Sequence, residues 1–212
     1  MPPPLDLDRL ADELTPVRRL RPAAGALATA AAVAAVIVAV LGWAGLRADL
    51  AEGVLHPIFL VRAGLLLLLG SASVAGVLAM GQPAVGRARA GWRWAAAAAA
   101  VIPMAAVILA LNAPTPVGGR LYPMNGMQCI GYTLVGGIAI GAVLTLWLRR
   151  GAPTSPKRAG LLVGLGAGSL AAFAYGMHCP HDDMLYIGLW YTIAIAGAAA
   201  IGRIVVPPLV RW

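Results

Sequence analysis

Six apolar stretches dominate the chain, at 23–46, 58–80, 92–111, 128–148, 160–177 and 185–206. Each is near the roughly 20 residues a helix needs to cross a hydrocarbon core. A lone segment in lipid must satisfy every backbone N–H and C=O within itself, so each stretch is expected to be a helix. Only 11% of the 212 residues are charged and 60% are hydrophobic, against about 25% charged in a soluble domain. The Ala- and Gly-rich runs lack the strict alternation of a membrane barrel. The expected fold is an all-α integral membrane protein of six transmembrane helices. Residues 1–22 form a polar tail and 23–212 the membrane domain. The gaps between stretches are too short for a large extramembrane domain.

The first stretch reads as a retained helix rather than a signal peptide. It is longer than a signal-peptide core, and its N-terminal flank carries Asp6, Asp8, Asp12 and Glu13. Pro57 stands just before the second stretch, Pro207 and Pro208 are expected to close the last, and Pro103 predicts a kink in the third.

The formal charge of +8 would suggest nucleic acid in a soluble protein. Here the basic residues sit in short loops, where they set topology, and no direct nucleic-acid binding is expected. Of 16 Lys and Arg, 13 fall on one side: Arg9, Arg18, Arg19, Arg21, Arg87, Arg89, Arg93, Arg149, Arg150, Lys157, Arg158, Arg203 and Arg211. Arg47, Arg62 and Arg120 fall on the other. The positive-inside rule then places both termini in the cytoplasm. Trp92, Trp94 and Trp147 mark an inner aromatic belt, and Trp43, Tyr122 and Tyr186 an outer one. Arg62 and Arg93 lie near enough to span ends to snorkel.

The chain has two cysteines, Cys129 and Cys179, at the ends of the fourth and fifth stretches. Consecutive antiparallel helices joined by a short basic loop bring those ends together on the outer face, next to His178, His181, Asp182 and Asp183. In a bacterium that face is the oxidising periplasm. Gly137 and Gly141 in the fourth stretch, and Gly160, Gly164 and Gly168 in the fifth, recur every four residues and predict close packing of the two. Three chemistries fit the outer residues. One is a structural disulfide. The second is a redox or thiol-reactive sensor, with His178 placed to help deprotonate Cys179. The third is a soft metal ion held by Cys129, Cys179, His178, His181 and Asp182, although Cys-x-His-Asp is not a zinc signature. No cofactor is otherwise implied. The sequence contains no Cys-x-x-Cys, phosphate loop or His-Glu-x-x-His, so no enzyme is expected. Acids are absent from the apolar stretches, which argues against a proton-coupled transporter.

The tail has its own pattern. Leu7, Leu10, Ala11 and Leu14 fall on one helical face, with Asp8 and its acidic neighbours opposite. Asp6 is placed to cap this helix, and Thr15-Pro16 to end it. So short an amphipathic helix is unstable alone in water and needs a surface. Its acidic face would be repelled by anionic lipid, so a protein groove with basic rims is the better match.

Several pieces together resemble the NrsF-like family of bacterial membrane anti-sigma factors. They are Leu14-Thr-Pro-Val-Arg-Arg-Leu-Arg-Pro22, Arg149-Arg-Gly-Ala-Pro153, Met177-His-Cys-Pro180 with a partner cysteine one helix earlier, and Leu209-Val-Arg-Trp212. The resemblance implies an inner-membrane protein that holds an extracytoplasmic-function sigma factor inactive through its cytoplasmic part and releases it under stress. It also implies that Cys129 and Cys179 perceive the signal. Joined to the tail pattern, it leads to the expectation that Leu7, Asp8, Leu10, Ala11, Leu14, Val17, Arg18 and Arg19 meet the partner. The family commonly has an acid after His-Cys-Pro, where this chain has His181; that departure points toward a metal or acid response. Two rival classes are a small metal-handling or transport protein and a membrane thiol oxidoreductase. The second lacks another redox pair.

Overall fold

The computed structural model describes residues 20–81, 121–151 and 153–210, together with part of the segment between 97 and 112. All secondary structure among these residues is helical. The elements are α1 (Pro22–Ala44), the short α2 (Ala48–Ala51), α3 (Pro57–Met80), α4 (Pro123–Leu148), α5 (Pro156–Gly176) and α6 (Met184–Val210). All but α2 are long and apolar enough to cross a membrane, which gives five candidate spans among the described residues. The remaining stretch, 92–111, is described only in part, and its described residues from Ala97 to Leu111 are helical. The geometry that would define a kink at Pro103 lies outside the described residues. So do Trp92, Trp94 and the whole tail helix with Leu7, Asp8, Leu10, Ala11, Leu14, Val17, Arg18 and Arg19.

Proline sets where the helices begin. Pro22, Pro57, Pro123 and Pro156 each stand at the first helical position. There a missing N–H is lost to no bond and the fixed φ suits the helix. As a result α4 starts five residues before the apolar run at 128. The expectation for Pro207 and Pro208 was wrong: both lie inside α6, which continues to Val210. Pro207 is buried where α6 crosses Gly160 of α5, so tertiary packing holds the last turn helical despite the two missing donors.

Helix α5 is the centre of the bundle. It touches α1, α3, α4 and α6, and 14 of its 21 residues are buried. The glycine stripe explains how, with one correction. Gly137 and Gly141 of α4 do face Gly168, Ala167 and Val163 of α5. Gly160, Gly164 and Gly168 of α5, however, lie mainly against α6, at Gly202, Ala198 and Ile195. A methyl at Gly160 would land on the Gly202 carbonyl, and one at Gly164 on the Ala198 carbonyl. Ala194, Ala198 and Gly202 supply the matching small face of α6 at the same four-residue spacing.

The antiparallel course sorts the bundle into two ends. At one end Gly25 and Gly81 meet the Trp147 ring, Gly81 meets Gly151, and Leu20 and Val210 join the same core. At the other end lie the close of α1, the starts of α3, α4 and α6, and the close of α5, with both cysteines. Trp43 is 85% exposed, as a belt residue should be. Trp147 and Tyr186 are not belt residues: both are buried, Trp147 over glycines that leave room for its ring, and Tyr186 beside the thiols.

Alanine substitutions should separate the two glycine faces. At Gly137 a methyl meets α5 at ordinary contact distance, 3.7 Å. Gly137→Ala should therefore be neutral or stabilise by up to about 1 kcal/mol through helix propensity. Gly164→Ala should destabilise by about 1–3 kcal/mol, the range for overpacking. Reversible unfolding of the purified protein in mixed micelles measures both.

Candidate functional site

Cys129 lies in the second turn of α4 and Cys179 three residues beyond α5. Both are free thiols with no exposed surface. They share one buried cluster with Leu66, Ala172, Tyr175, Tyr186, Ile187, Tyr191 and Ile195. Tyr186 and Tyr191 bracket this side because α6 opens into a π turn over Ile187–Tyr191. One extra residue per turn re-aims the helix face, a device found mostly at functional sites. The Trp190 indole N–H donates to the Leu121 carbonyl at 2.7 Å, and its ring lies over Gly126, which ties the π turn to the start of α4. Next to it, Tyr122 adopts a left-handed backbone (φ 42°) before Pro123 and stacks on His181 at 4.6 Å.

Cys179 lies in the loop from α5 to α6, and two buried arginines bond to that loop. Arg47 is 6% exposed and Arg62 is 2% exposed. Gly45 ends α1 at φ 85°, a region open to glycine, and turns the chain so that Arg47 points inward. Its guanidinium donates to both oxygens of Asp49 (2.6 Å each) and to both oxygens of Asp182 (3.1 and 2.6 Å). It also donates to the Cys179 carbonyl at 3.2 Å, while the Arg47 backbone N–H donates to the Met177 carbonyl at 3.2 Å. The expectation that Arg62 would snorkel was wrong. It donates inward to the carbonyls of Gly176 (3.1 Å) and His181 (2.9 Å), with Phe59 and Tyr191 rings within 5.6 Å. Arg62 thus caps one orphan carbonyl at the close of α5, that of Gly176, the work a helix C-terminus requires of some donor. Phe59 lies under both guanidinium groups.

The outer acids and histidines have separate employment. Asp182 is bound by Arg47, with Arg62 and His56 each 3.9 Å away. Asp183 caps α6 by accepting from the Leu185 N–H. His178 directs Nδ1 to the Gly45 carbonyl at 3.1 Å, and His181 Nε2 accepts from the Asn125 amide at 2.7 Å. The five residues read as metal ligands, Cys129, Cys179, His178, His181 and Asp182, therefore do not form one ligand set. Among the described residues no group of three or more His, Cys, Asp and Glu is placed to hold an ion.

Hydrogen bonds to Asp182, and then to Asp49, hold the Arg47 guanidinium charged well beyond its ordinary range. The bond from Arg47 pulls the Asp49 carboxyl below the usual carboxylate value. Burial, and then the charge of Arg62, pushes His181 below the ordinary histidine value, and a ring nitrogen accepting from Asn125 favours the same neutral form.

Sequence reasoning reached the two cysteines but missed Arg47, Arg62, Asn125 and the π turn. The available signal was a basic residue inside an apolar stretch, since charge at membrane depth is rarely idle.

The fold and site define a small all-helical membrane protein with a pair of buried thiols at one end of its bundle, beneath an ion-paired loop. Residues 10–212 match the family described as "Negative regulator of sigma F". A curated protein named "Anti-sigma-F factor NrsF", from Caulobacter vibrioides, is 35% identical over 94% of this chain and 92% of its own length. A "Probable anti-sigma-F factor NrsF" from Azospira oryzae is 30% identical over 78% of each. The chain belongs to the NrsF family. No solved structure matches it.

A histidine whose folded pKa is lowered takes up its proton more readily in the unfolded chain. Its contribution to stability is complete above the ordinary histidine pKa of about 6.5 and is lost as pH falls from there toward the folded value. The unfolding midpoint should therefore drop over that interval. His181→Asn should flatten the drop, as read by thermal unfolding between neutral and mildly acidic pH.

Proposed function

We propose that this protein is a membrane anti-sigma factor. It holds an extracytoplasmic-function sigma factor inactive through the cytoplasmic segment 1–22 and releases it when its periplasmic thiol site is perturbed. The names of both relatives support the regulatory role. The sigma-factor class, the signal and the release step are our reading. That reading also places six spans in the inner membrane with both termini inside, supported by the sequence's excess of Lys and Arg in the segments assigned to that side.

One observation carries the proposal. The residue that leads out of the tail, Leu20, packs into the core at one end of the bundle, and the thiols sit at the other. Helix α5 connects them. Its close is clamped by Arg62 and runs into Cys179. Its start follows the loop bearing Arg149 and Arg150 and carries Lys157 and Arg158. Backbone-level contact with α6 leaves α5 little room to deform locally, so displacement at the thiol end moves the helix as a unit. The leucine stripe of the tail docks on the sigma factor, and movement of the basic loop weakens that hold. Reversing occupancy from 99:1 to 1:99 requires about 5.5 kcal/mol of differential stability between the two states.

Leu10→Asp with Leu14→Asp should abolish co-purification of the sigma factor from membranes, and retention of the partner by this variant would remove the tail from the account. Cys129→Ser should retain the partner but fail to release it under inducing stress. For orientation, in a chain with both native cysteines replaced by serine, a cysteine at exposed Val54 should react with an impermeant maleimide on intact cells, and one at Lys157 should not.

A further inference from the structure

We propose that Arg47 and Asp182 form a latch whose opening sets the rate at which Cys129 and Cys179 react. This assigns the control of the site on which the proposed function rests. Neither sulfur has exposed surface, so a water-borne reagent cannot reach either one in the closed form. The cover is the loop that itself carries Cys179. Its neighbours grip it at few points: Arg47 at the Cys179 carbonyl and the Asp182 carboxylate, Arg62 at the carbonyls of Gly176 and His181, and His178 at Gly45. These grips come from the α1–α3 connection or the first turns of α3, and α4, where Cys129 resides, adds one neutral bond, from the Asn125 amide to His181 Nε2. Lifting the loop exposes both sulfurs together while α4 stays in place.

Among the side chains that grip the loop, Arg47 bonds to both oxygens of the Asp182 carboxylate. Asp49 holds its Nε and Nη2, which aims the remaining face of the guanidinium at Asp182 and makes Asp49 a positioning residue. Removing one partner of a buried ion pair is strongly destabilising, because it strands the other charge. The observed labelling rate is the rate in the open form multiplied by the fraction open, so weakening the latch raises the rate at both sulfurs in equal proportion. Thiol acidity would instead change the two sulfurs separately.

The test uses the reduced full-length protein in native-like lipid nanodiscs. A charged, water-soluble maleimide is added, and modification of each cysteine is followed by mass spectrometry. The wild-type thiols should react slowly and in parallel. Asp182→Asn should accelerate both by about a hundredfold, in line with the loss of a buried pair. Asp182→Glu, which keeps the charge, should stay near wild type. Asp49→Asn, at a more exposed position, should accelerate both by about tenfold and guards against misfolding of the Asp182 variant. The proposal is overturned if wild-type thiols react as fast as those of the denatured chain, or if Asp182→Asn and Asp49→Asn react no faster than wild type. Sigma-factor capture by the same samples is read separately. Its absence from wild type would remove the proposed function and leave the rate comparison intact.

Discussion

A guanidinium at the edge of a membrane has to find oxygen partners or remain in water, and among the described residues two of them are buried. Arg47 and Arg62 gather their oxygens from places distant in sequence: Asp49 nearby, and Gly176, Cys179, His181 and Asp182 at the close of α5 and beyond. That requirement brings the α1–α3 connection onto the α5–α6 loop. The loop is then drawn over the start of α4, and the two thiols come to share one buried cluster. Loss of Arg47 would leave the Asp182 carboxylate and the Cys179 carbonyl without this donor, and loss of Arg62 would do the same to the Gly176 and His181 carbonyls.

Away from that end, shape rather than charge holds the bundle. Hydrophobicity does not discriminate between a helix neighbour and a lipid tail, so association depends on close backbone approach and dispersion contact. The glycines of α5 provide it on two sides, toward α4 through Gly168 and toward α6 through Gly160 and Gly164. The same helix runs from the thiol end of the bundle to the end where Leu20 packs.

Much of this could be read from residues alone, and the limits are specific. Hydropathy located the five candidate spans among the described residues because crossing a bilayer is a local requirement met by consecutive residues. Proline marked the true starts at Pro22, Pro57, Pro123 and Pro156, a signal hydropathy ignores. The pairing of Cys129 with Cys179 followed from antiparallel connectivity. Arg62 was misread as a snorkelling residue because its carbonyl partners carry no sequence signature. Trp147 and Tyr186 were misread as belt residues because position along a span does not say which way a ring faces. The folded chain gives His178, His181 and Asp182 to three different partners, an arrangement that their proximity in sequence does not disclose.

What the sequence determined by itself is therefore the set of requirements each segment meets alone: helical spans, their approximate lengths, the charge asymmetry between loops, and the family to which the motifs belong. The tertiary structure decided which face of each helix turns inward. It set the side of α5 that meets α6, the burial of both sulfurs, and the arginine clamp above them. Those outcomes depend on atoms far apart along the chain meeting at hydrogen-bond and van der Waals distance, which no local pattern encodes.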